Sequence, residues 1–143
     1  MKTRAAVIHE MEKPRPYAVS KPLVIETLDL DPPGEDEILV RIRAAGLCHS
    51  DLSTINGDRP RPLPMVLGHE AAGEVMELGP GVKDLAVGDH VILVFVPNCG
   101  RCAPCQEGRP ALCEPGFKAN GAGKLLNDVT RLTRNGKTVY HHV

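Results

Sequence analysis

Aromatic residues are scarce in this sequence, which contains no tryptophan and only two tyrosines and two phenylalanines. A core in such a chain has to be built from valine, leucine, isoleucine and alanine. Modules that bind nucleic acids usually combine a basic surface with aromatic residues on which bases stack. Here 17 lysines and arginines are balanced by 18 aspartates and glutamates. The composition therefore argues against a nucleic-acid partner. It also argues against a zinc ribbon that binds nucleic acid.

Long apolar segments are missing as well. The longest strongly apolar run, residues 91–96, is far shorter than the roughly 20 residues that a membrane-spanning helix needs. The N-terminal residues do not have the layout of a secretory signal peptide. We therefore expect a cytoplasmic protein without a membrane partner. In that reducing compartment the five cysteines indicate metal binding or catalysis rather than disulfides.

The 14 glycines and 13 prolines are spread through the chain, so long helices are not expected. Apolar segments of strand length recur between turn signals, and they predict strands at residues 4–9, 23–30, 37–45, 72–78 and 89–96. The last of these is almost entirely apolar, and we expect it to be central in its sheet. Short helices are predicted around residues 50–55 and 102–107. The fold class is thus a mainly β single domain, a small barrel whose loops carry the chemistry.

Four of the cysteines form a C-x2-C-x2-C-x7-C pattern within fifteen residues: Cys99, Cys102, Cys105 and Cys113. Tetrahedral zinc needs four thiolates that converge, and closely spaced cysteines joined by tight turns can supply them. Disulfides are the alternative, but neighbouring cysteines at this spacing pair poorly. A site with four thiolates has no open coordination position, so we expect this zinc to be structural.

A second candidate site begins at Cys48 and continues about twenty residues later at His69. A lone cysteine and a lone histidine at this separation can simply be packing residues. However, Cys48 follows a predicted strand and opens a predicted helix, whose N-terminus favours a thiolate. Together with a third ligand, Cys48 and His69 would leave one zinc position open for water or an alcohol.

These motifs resemble a known family. The segment Gly68-His69-Glu70-x2-Gly73-x5-Gly79-x2-Val82 is similar to the zinc-containing alcohol dehydrogenase signature at every fixed position. Cys48-His49-Ser50-Asp51 precedes it, and the four-cysteine pattern follows it, in the order that medium-chain alcohol dehydrogenases have. The resemblance runs from Lys2 to about His142. It implies a GroES-like β-barrel with short helices and a protruding four-cysteine zinc lobe at about residues 96–116.

The resemblance also implies residue roles. Cys48 and His69 would bind a catalytic zinc, and Glu70 would lie beside or behind the metal. Asp51 would hydrogen-bond the ring of His69 and set its tautomer. Ser50 would take the proton of the alcohol as the first step of a relay. Some relatives continue that relay with a histidine three residues later; this sequence has serine there, so the relay would be shorter or would use water.

The activity that the resemblance implies is NAD(P)-linked interconversion of an alcohol and an aldehyde or ketone, with zinc polarising the substrate. His49 would face the pyrophosphate of the cofactor. Residues 1–143 contain no G-x-G-x-x-G motif after a strand and no cysteine left to serve as a third ligand of the catalytic zinc. We therefore expect a truncated catalytic domain that lacks the nucleotide-binding Rossmann domain and has no turnover alone. The full-length enzyme is expected to be a homo-oligomer.

Several alternatives stay open at this stage. A thiol-adduct formaldehyde dehydrogenase and an aryl-alcohol dehydrogenase fit equally well, whereas many polyol dehydrogenases vary the four-cysteine lobe that is intact here. The alternative from another class is a non-catalytic, stand-alone zinc-binding GroES-like module. A scaffold of that kind would not need Cys48, Ser50, Asp51 and His69.

Three further segments of the sequence carry weaker functional signals. Arg59-Pro60-Arg61-Pro62 is expected to be a solvated loop, with a contact to substrate or to an oligomer partner as the alternative. Residues 131–138 resemble a phosphate-binding P-loop, but arginine replaces its first glycine, so we predict a turn with solvated charges. The pair His141-His142 is expected to be exposed.

Overall fold

The computed structural model describes residues 1–141, and His142 and Val143 lie outside the described residues. The strands are β1 (Lys2–Ile8), β2 (Leu23–Leu30), β3 (Ile38–Ala45), β4 (Met65–Val66), β5 (Ala71–Leu78), β6 (His90–Ile92), β7 (Leu132–Arg134) and β8 (Lys137–His141). The helices are α1 (Tyr17–Ser20), α2 (His49–Ile55), α3 (Ala103–Gln106) and α4 (Glu114–Ala122), with a 3-10 turn at Pro110–Leu112. The mainly β fold with few, short helices is confirmed.

Five strands close into a barrel in the order β1-β2-β7-β8-β4. One side chain from each of the first four strands fills its interior, and these four are Val7, Leu28, Leu132 and Val139. Strands that alternate inward and outward side chains place such residues on one face. The barrel core is thus aliphatic, as the scarcity of aromatic residues predicts.

The remaining strands form a three-stranded sheet in the order β3-β5-β6, with antiparallel pairing throughout. Strand β5 is central in it, and its Val75 is fully buried. A second core cluster joins helix α2 to the barrel, because Ile55 packs with Ile8, Met65 and Leu67. This contact fixes the helix that carries several of the candidate site residues.

The expectation that residues 89–96 form a central strand is wrong. Only His90–Ile92 are extended, and this strand lies at the edge of its sheet, where Ile92 is 80% exposed. Leu93 N still donates to the Ala71 carbonyl of β5 at 2.9 Å, and further along the Phe95 carbonyl accepts a hydrogen bond from Asn120 Nδ2 at 2.7 Å. The apolar run reaches across to another part of the molecule instead of filling a sheet centre.

Helix α4 and the hairpin of strands β7 and β8, all near the C-terminus, are absent from the sequence prediction. Helix α4 was missed because Pro115, Gly116 and Gly121 are poor helix formers. Strands β7 and β8 form a hairpin around Asn135-Gly136, where φ is 51° and 74°. Both residues have positive φ, as a type I′ turn requires. The predicted turn is therefore confirmed, but the strands on either side of it were not predicted. The expectation of solvated charges is wrong for Arg131, which is half-buried and pairs with Glu37.

Gly79 lies where the end of β5 meets the loop before β3. A Cβ atom at this position would lie 1.8 Å from the Gly34 carbonyl oxygen and 2.9 Å from that of Glu37. We expect Gly79→Ala to lower the free energy of unfolding by about 2–4 kcal/mol, because the clash is with backbone atoms that cannot rotate away.

Gly121→Ala is the matched control, since its new Cβ would meet only Arg61 Nη1 at 3.6 Å. Alanine also favours the helix by about 0.5–1 kcal/mol. Urea unfolding of both variants measures the difference. Equal stability of the two proteins would contradict the close approach of the backbone at Gly79.

Within residues 1–141 no helix is both long and apolar enough to cross a membrane.

Candidate metal centres

The first candidate centre is assembled at the ends of two neighbouring strands. Strands β3 and β5 are antiparallel, and Ala45 at the end of β3 pairs with Ala71 at the start of β5. The residues just after β3 therefore lie beside those just before β5. Gly46 N donates to the Glu70 carbonyl at 2.7 Å and extends this contact beyond the ladder. Cys48 and His69 meet for this reason, although they are far apart in the sequence.

The ligand atoms of Cys48, His69 and Glu70 all lie within 4.8 Å of one another. His69 is buried, Cys48 is half-buried and Glu70 is exposed. A thiolate, an imidazole and a carboxylate are all donors that zinc accepts. Glu70 also lines a shallow depression of about 460 Å³, which Cys48 and His69 do not line. The donor set and its access to solvent thus fit a zinc ion with an open coordination position.

Asp51 holds the two halves of this centre together. Its carboxylate accepts a hydrogen bond from Cys48 N at 2.9 Å and another from Gly68 N at 3.1 Å. Its Oδ1 also lies 3.7 Å from Nδ1 of His69. Asp51 is 2% exposed, so these contacts form in a water-poor environment where they are strong. One carboxylate therefore fixes the backbone of both ligand segments and faces the ring of one ligand.

The other ring nitrogen of His69, Nε2, faces the hydroxyl of Ser50, the group predicted to take the proton of the alcohol. Ser50 Oγ lies 3.4 Å from His69 Nε2. The imidazole also packs against Phe95, with ring centroids 4.5 Å apart. Gly68, just before His69, has a φ of 99°, a conformation that favours glycine. The turn at Gly68 directs the imidazole inward between Asp51 and Ser50.

His49 lies outside this cluster. Its side chain is exposed, and its Nδ1 lies 3.4 Å from the hydroxyl of Ser53, one helical turn further along α2. The cofactor-facing role that the resemblance implies for His49 stays a prediction.

The second candidate centre contains the four cysteines of the predicted lobe, whose sulfur atoms all lie within 4.8 Å of one another. Cys113 is fully buried, and its sulfur accepts hydrogen bonds from Cys99 N and Gly116 N, both at 3.3 Å. Cys102 Sγ and Cys105 Sγ are 3.4 Å apart. None of the five cysteines forms a disulfide in the described chain. Convergence of four thiols fits the closed, tetrahedral type of zinc site.

The electrostatics of the four thiols favour a cation. Backbone N–H groups of Arg101 and Cys102 lower the pKa of Cys99 to about 6. Burial raises the pKa of Cys105 to about 11, and its contact with Cys102 adds to the rise. One thiolate forms readily, and each further negative charge then becomes costlier. A divalent cation removes this conflict, since it favours the thiolate at every position.

The lobe is tied to the first centre through helix α4. Pro97 carbonyl oxygen would lie 1.7 Å from a Cβ at Gly116, so only glycine permits this approach. Further along α4, Asn120 is 3% exposed and donates to the carbonyl of Phe95, whose ring packs on His69. The two centres are therefore joined by a short path of packed residues.

The expectation of a solvated loop at residues 59–62 is wrong for its two arginines. Arg59 places its guanidinium 5.3 Å from the centroid of the Phe95 ring. Arg61 is half-buried and donates from Nη2 to Asn120 Oδ1 at 2.8 Å. The sequence offered little to reveal these contacts, because Asn120 lies in an unpredicted helix and Phe95 in a segment assigned to a strand.

His141 also departs from its expected exposure. It is half-buried, and its Nε2 accepts a hydrogen bond from Arg131 N at 3.0 Å. Burial lowers the pKa of His141 below its ordinary value. This histidine closes the end of β8 against the segment before β7, and it plays no part in either metal centre.

Comparison with protein families gives one match over most of the chain. Residues 34–138 match the alcohol dehydrogenase GroES-like domain. Among curated proteins, an S-(hydroxymethyl)glutathione dehydrogenase of Synechocystis is 42% identical over 144 residues, and one of Escherichia coli is 40% identical over the same length. The alignments cover all of this chain and 37% of each relative.

Solved structures agree with these matches. An alcohol dehydrogenase zinc-binding domain protein from Burkholderia ambifaria superimposes with a TM-score of 0.86 at 39% identity, covering 99% of this chain and 36% of that one. Benzyl alcohol dehydrogenase from Acinetobacter calcoaceticus gives a TM-score of 0.81 at 34% identity, covering 99% and 35%. This chain thus spans little more than a third of the length of the proteins it resembles.

Proposed function

Since this chain belongs to the family of alcohol dehydrogenase GroES-like domains, we propose that it supplies the metal site of a zinc-dependent oxidoreductase. The reaction is interconversion of an alcohol and an aldehyde or ketone, linked to NAD(P). The observation that carries this proposal is the convergence of Cys48, His69 and Glu70 within 4.8 Å. A non-catalytic GroES-like module has no need of such an open donor set at the edge of its sheet.

Zinc bound at this centre would act as a Lewis acid that polarises the oxygen of the alcohol. Cys48 and His69 are the proposed ligands, and the nearby Glu70 carboxylate would either coordinate the metal in the absence of substrate or orient the other ligands. Asp51, whose carboxylate lies 3.7 Å from Nδ1 of His69, would set the tautomer in which Nε2 faces the metal. The chain's contribution is to hold these donors in place before the substrate arrives.

Ser50 is the proposed acceptor of the alcohol proton. Its hydroxyl lies on the Nε2 side of His69 at 3.4 Å, which places it beside an alcohol oxygen that approaches the same point. A serine hydroxyl can accept one proton while it donates its own to water. Ser53 and His49, in mutual contact at 3.4 Å, offer an onward route along the exposed side of α2.

The cofactor and the remaining parts of the enzyme belong to the proposal as well. His49 would face the pyrophosphate of NAD(P). The nicotinamide ring of this cofactor would accept the hydride. We propose that residues 1–143 form one catalytic domain, that they do not turn over alcohol by themselves, and that the longer enzyme is a cytoplasmic homo-oligomer. Support comes from the relatives, of which this chain covers 37%, and from the lack of a G-x-G-x-x-G motif in these residues.

The four-cysteine lobe has a separate proposed role. Its closed donor set can hold a structural zinc, which would fix a segment with little core of its own. Among its residues Cys113 is buried, whereas Leu112 remains 59% exposed. We propose that this zinc contributes stability and leaves the chemistry to the first centre.

Zinc stoichiometry tests the proposed function directly. Elemental mass spectrometry of the purified chain should give two zinc ions per molecule, because both donor sets converge. Cys48→Ser should reduce the value to one, and the fold should persist. Arg4→Gln, at an exposed position on β1, is the control and should retain both ions. A single zinc in the unaltered chain would refute the metal site at Cys48 and His69.

A further inference from the structure

Two arginines stand beside the first metal centre without a role in the mechanism described so far. Arg59 and Arg61 lie on the loop between α2 and β4. The loop is held to the helix because Arg59 N donates to the Ser53 carbonyl at 2.9 Å. The Arg59 guanidinium lies 5.3 Å from the centroid of Phe95, and that ring packs against His69 with centroids 4.5 Å apart. A single aromatic ring therefore separates this cation from a proposed zinc ligand.

Arg61 is held on the same side by a different contact. Its Nη2 donates to Asn120 Oδ1 at 2.8 Å, and Asn120 in turn donates to the Phe95 carbonyl at 2.7 Å. Its Nε is buried, and within residues 1–141 it has no hydrogen-bond partner. Burial and then the charge of Arg59 lower the pKa of Arg61. Arg61 thus carries a partly desolvated charge and an Nε donor that no group within residues 1–141 uses.

Carboxylates do not compensate these charges. Four other arginines of the described chain pair with acidic side chains: Arg43 with Glu74, Arg109 with Glu107, Arg131 with Glu37 and Arg134 with Glu26. The remaining four, Arg4, Arg15, Arg41 and Arg101, are exposed, whereas Arg59 and Arg61 are half-buried. Neither Arg59 nor Arg61 has such an ion pair within residues 1–141. Two partly buried cations without an anion create a local positive potential that stabilises an incoming negative charge.

The surroundings indicate the shape of the ligand that fits. A guanidinium presents parallel N–H donors that match a carboxylate, and its affinity for a planar anion exceeds that of an ammonium group. The half-buried Phe95 ring lies between Arg59 and His69, so the apolar body of a ligand that reaches from one to the other passes along it. A ligand that reaches from the metal centre to the two arginines would have its hydroxyl or carbonyl at the metal centre and its negative charge at the arginines.

We propose that Arg59 and Arg61 form an anion-binding subsite beside the Cys48, His69 and Glu70 centre, and that the substrate is an alcohol or aldehyde that carries a carboxylate. The identity of the substrate rests on the proposed function, whereas the subsite itself does not require turnover. Arg59 and Arg61 are specificity residues in this scheme, and they take no part in proton or hydride transfer.

Binding of two isosteric probes to the zinc-loaded chain tests the proposal. The probes are 4-(hydroxymethyl)benzoate and 4-(hydroxymethyl)benzamide, which differ in charge and hardly in shape. Calorimetric titration should give a Kd at least about tenfold lower for the benzoate, the factor expected for one charge-assisted hydrogen bond. Arg59→Gln and Arg61→Gln should each abolish this preference, and Arg4→Gln should retain it. Equal Kd values in the unaltered chain would overturn the proposal.

Further measurements separate the possible causes of failure. Arg61→Gln removes a hydrogen bond to a buried asparagine, so thermal melts accompany it, and Arg59→Gln carries the test if Arg61→Gln unfolds. Persistence of the benzoate preference in folded Arg59→Gln would overturn the proposal. Titration with inorganic pyrophosphate forms the second arm; if the arginine variants weaken pyrophosphate binding and leave the benzoate preference unchanged, the anion is a phosphate and the substrate assignment is wrong. The zinc content of each variant shows independently whether the metal centre is present.

Discussion

Cys102→Ser is expected to lower the melting temperature of the zinc-loaded chain by about 10 °C or more. The sulfur of Cys102 is one of four that lie within 4.8 Å of one another, and serine is a far poorer zinc ligand than cysteine. Structural zinc contributes roughly 10 kcal/mol or more of apparent binding free energy in small zinc-finger peptides. The lobe has one fully buried cysteine and exposed apolar side chains, so packing alone can replace little of that energy.

Cys48→Ser is the matched comparison, since it removes one thiol from the other centre. Cys48 lies at the N-cap of α2, where serine is among the preferred residues. The carboxylate of Asp51 would still accept the backbone N–H of residue 48. We therefore expect a change in melting temperature of about 3 °C or less.

Differential scanning calorimetry of both variants, each with and without a chelator, gives the comparison. The chelator should destabilise the unaltered chain about as strongly as Cys102→Ser does, and it should have little further effect on that variant. Equal losses of melting temperature in Cys102→Ser and Cys48→Ser would contradict the division into a structural and a catalytic centre.

Asp51→Asn is expected to weaken metal binding at the first centre by about 10- to 100-fold, the usual loss when the carboxylate behind a histidine ligand is removed. Asparagine keeps the shape but has one acceptor oxygen, whereas Asp51 accepts from both Cys48 N and Gly68 N. Its amide N–H₂ would then face a backbone N–H group. The variant would therefore bury an amide donor opposite a backbone donor, and it would lose the negative charge that faces His69.

Competition titration with a chromophoric chelator measures this affinity, and the four-cysteine lobe provides an internal reference. Asp89→Asn is the control, because Asp89 is exposed and accepts a single backbone hydrogen bond, from Ala86 N at 2.8 Å. Its zinc affinities should match those of the unaltered chain. If Asp51→Asn leaves the affinity of the weaker site unchanged, Asp51 does not position His69.

Much of the fold was predictable where local signals are strong. Strand β2 spans residues 23–30 as expected, and β3, β5 and α2 differ from their predicted bounds by one residue at one end. These segments combine regular apolar patterns with clear turn residues on either side. The four-cysteine centre was predictable for a related reason, because its ligands are close together in the sequence.

Prediction failed where distant contacts decide the local structure. Helix α4 contains glycines and a proline, and it forms because Cys113 and Pro97 meet its first turn. The apolar run after Ile92 was taken for a central strand, since nothing in it reveals that Asn120 binds the Phe95 carbonyl. The positions of Arg59 and Arg61 depend on those same two elements. Residues near the metal could be named from the sequence, but the groups that surround a substrate could not.

The antiparallel pairing of β3 and β5 has a consequence for how such a chain can diversify. Cys48 and His69 are positioned by the strand ends, with Ala45 opposite Ala71, and by Asp51 in α2, so their separation does not depend on the path of the chain between the end of α2 and β4. That intervening segment includes the loop with Arg59 and Arg61. Insertions or replacements in the loop can alter what the site selects while the metal ligands remain in register. Under the proposed function, selectivity and reactivity would thus be encoded in separable stretches of one short sequence.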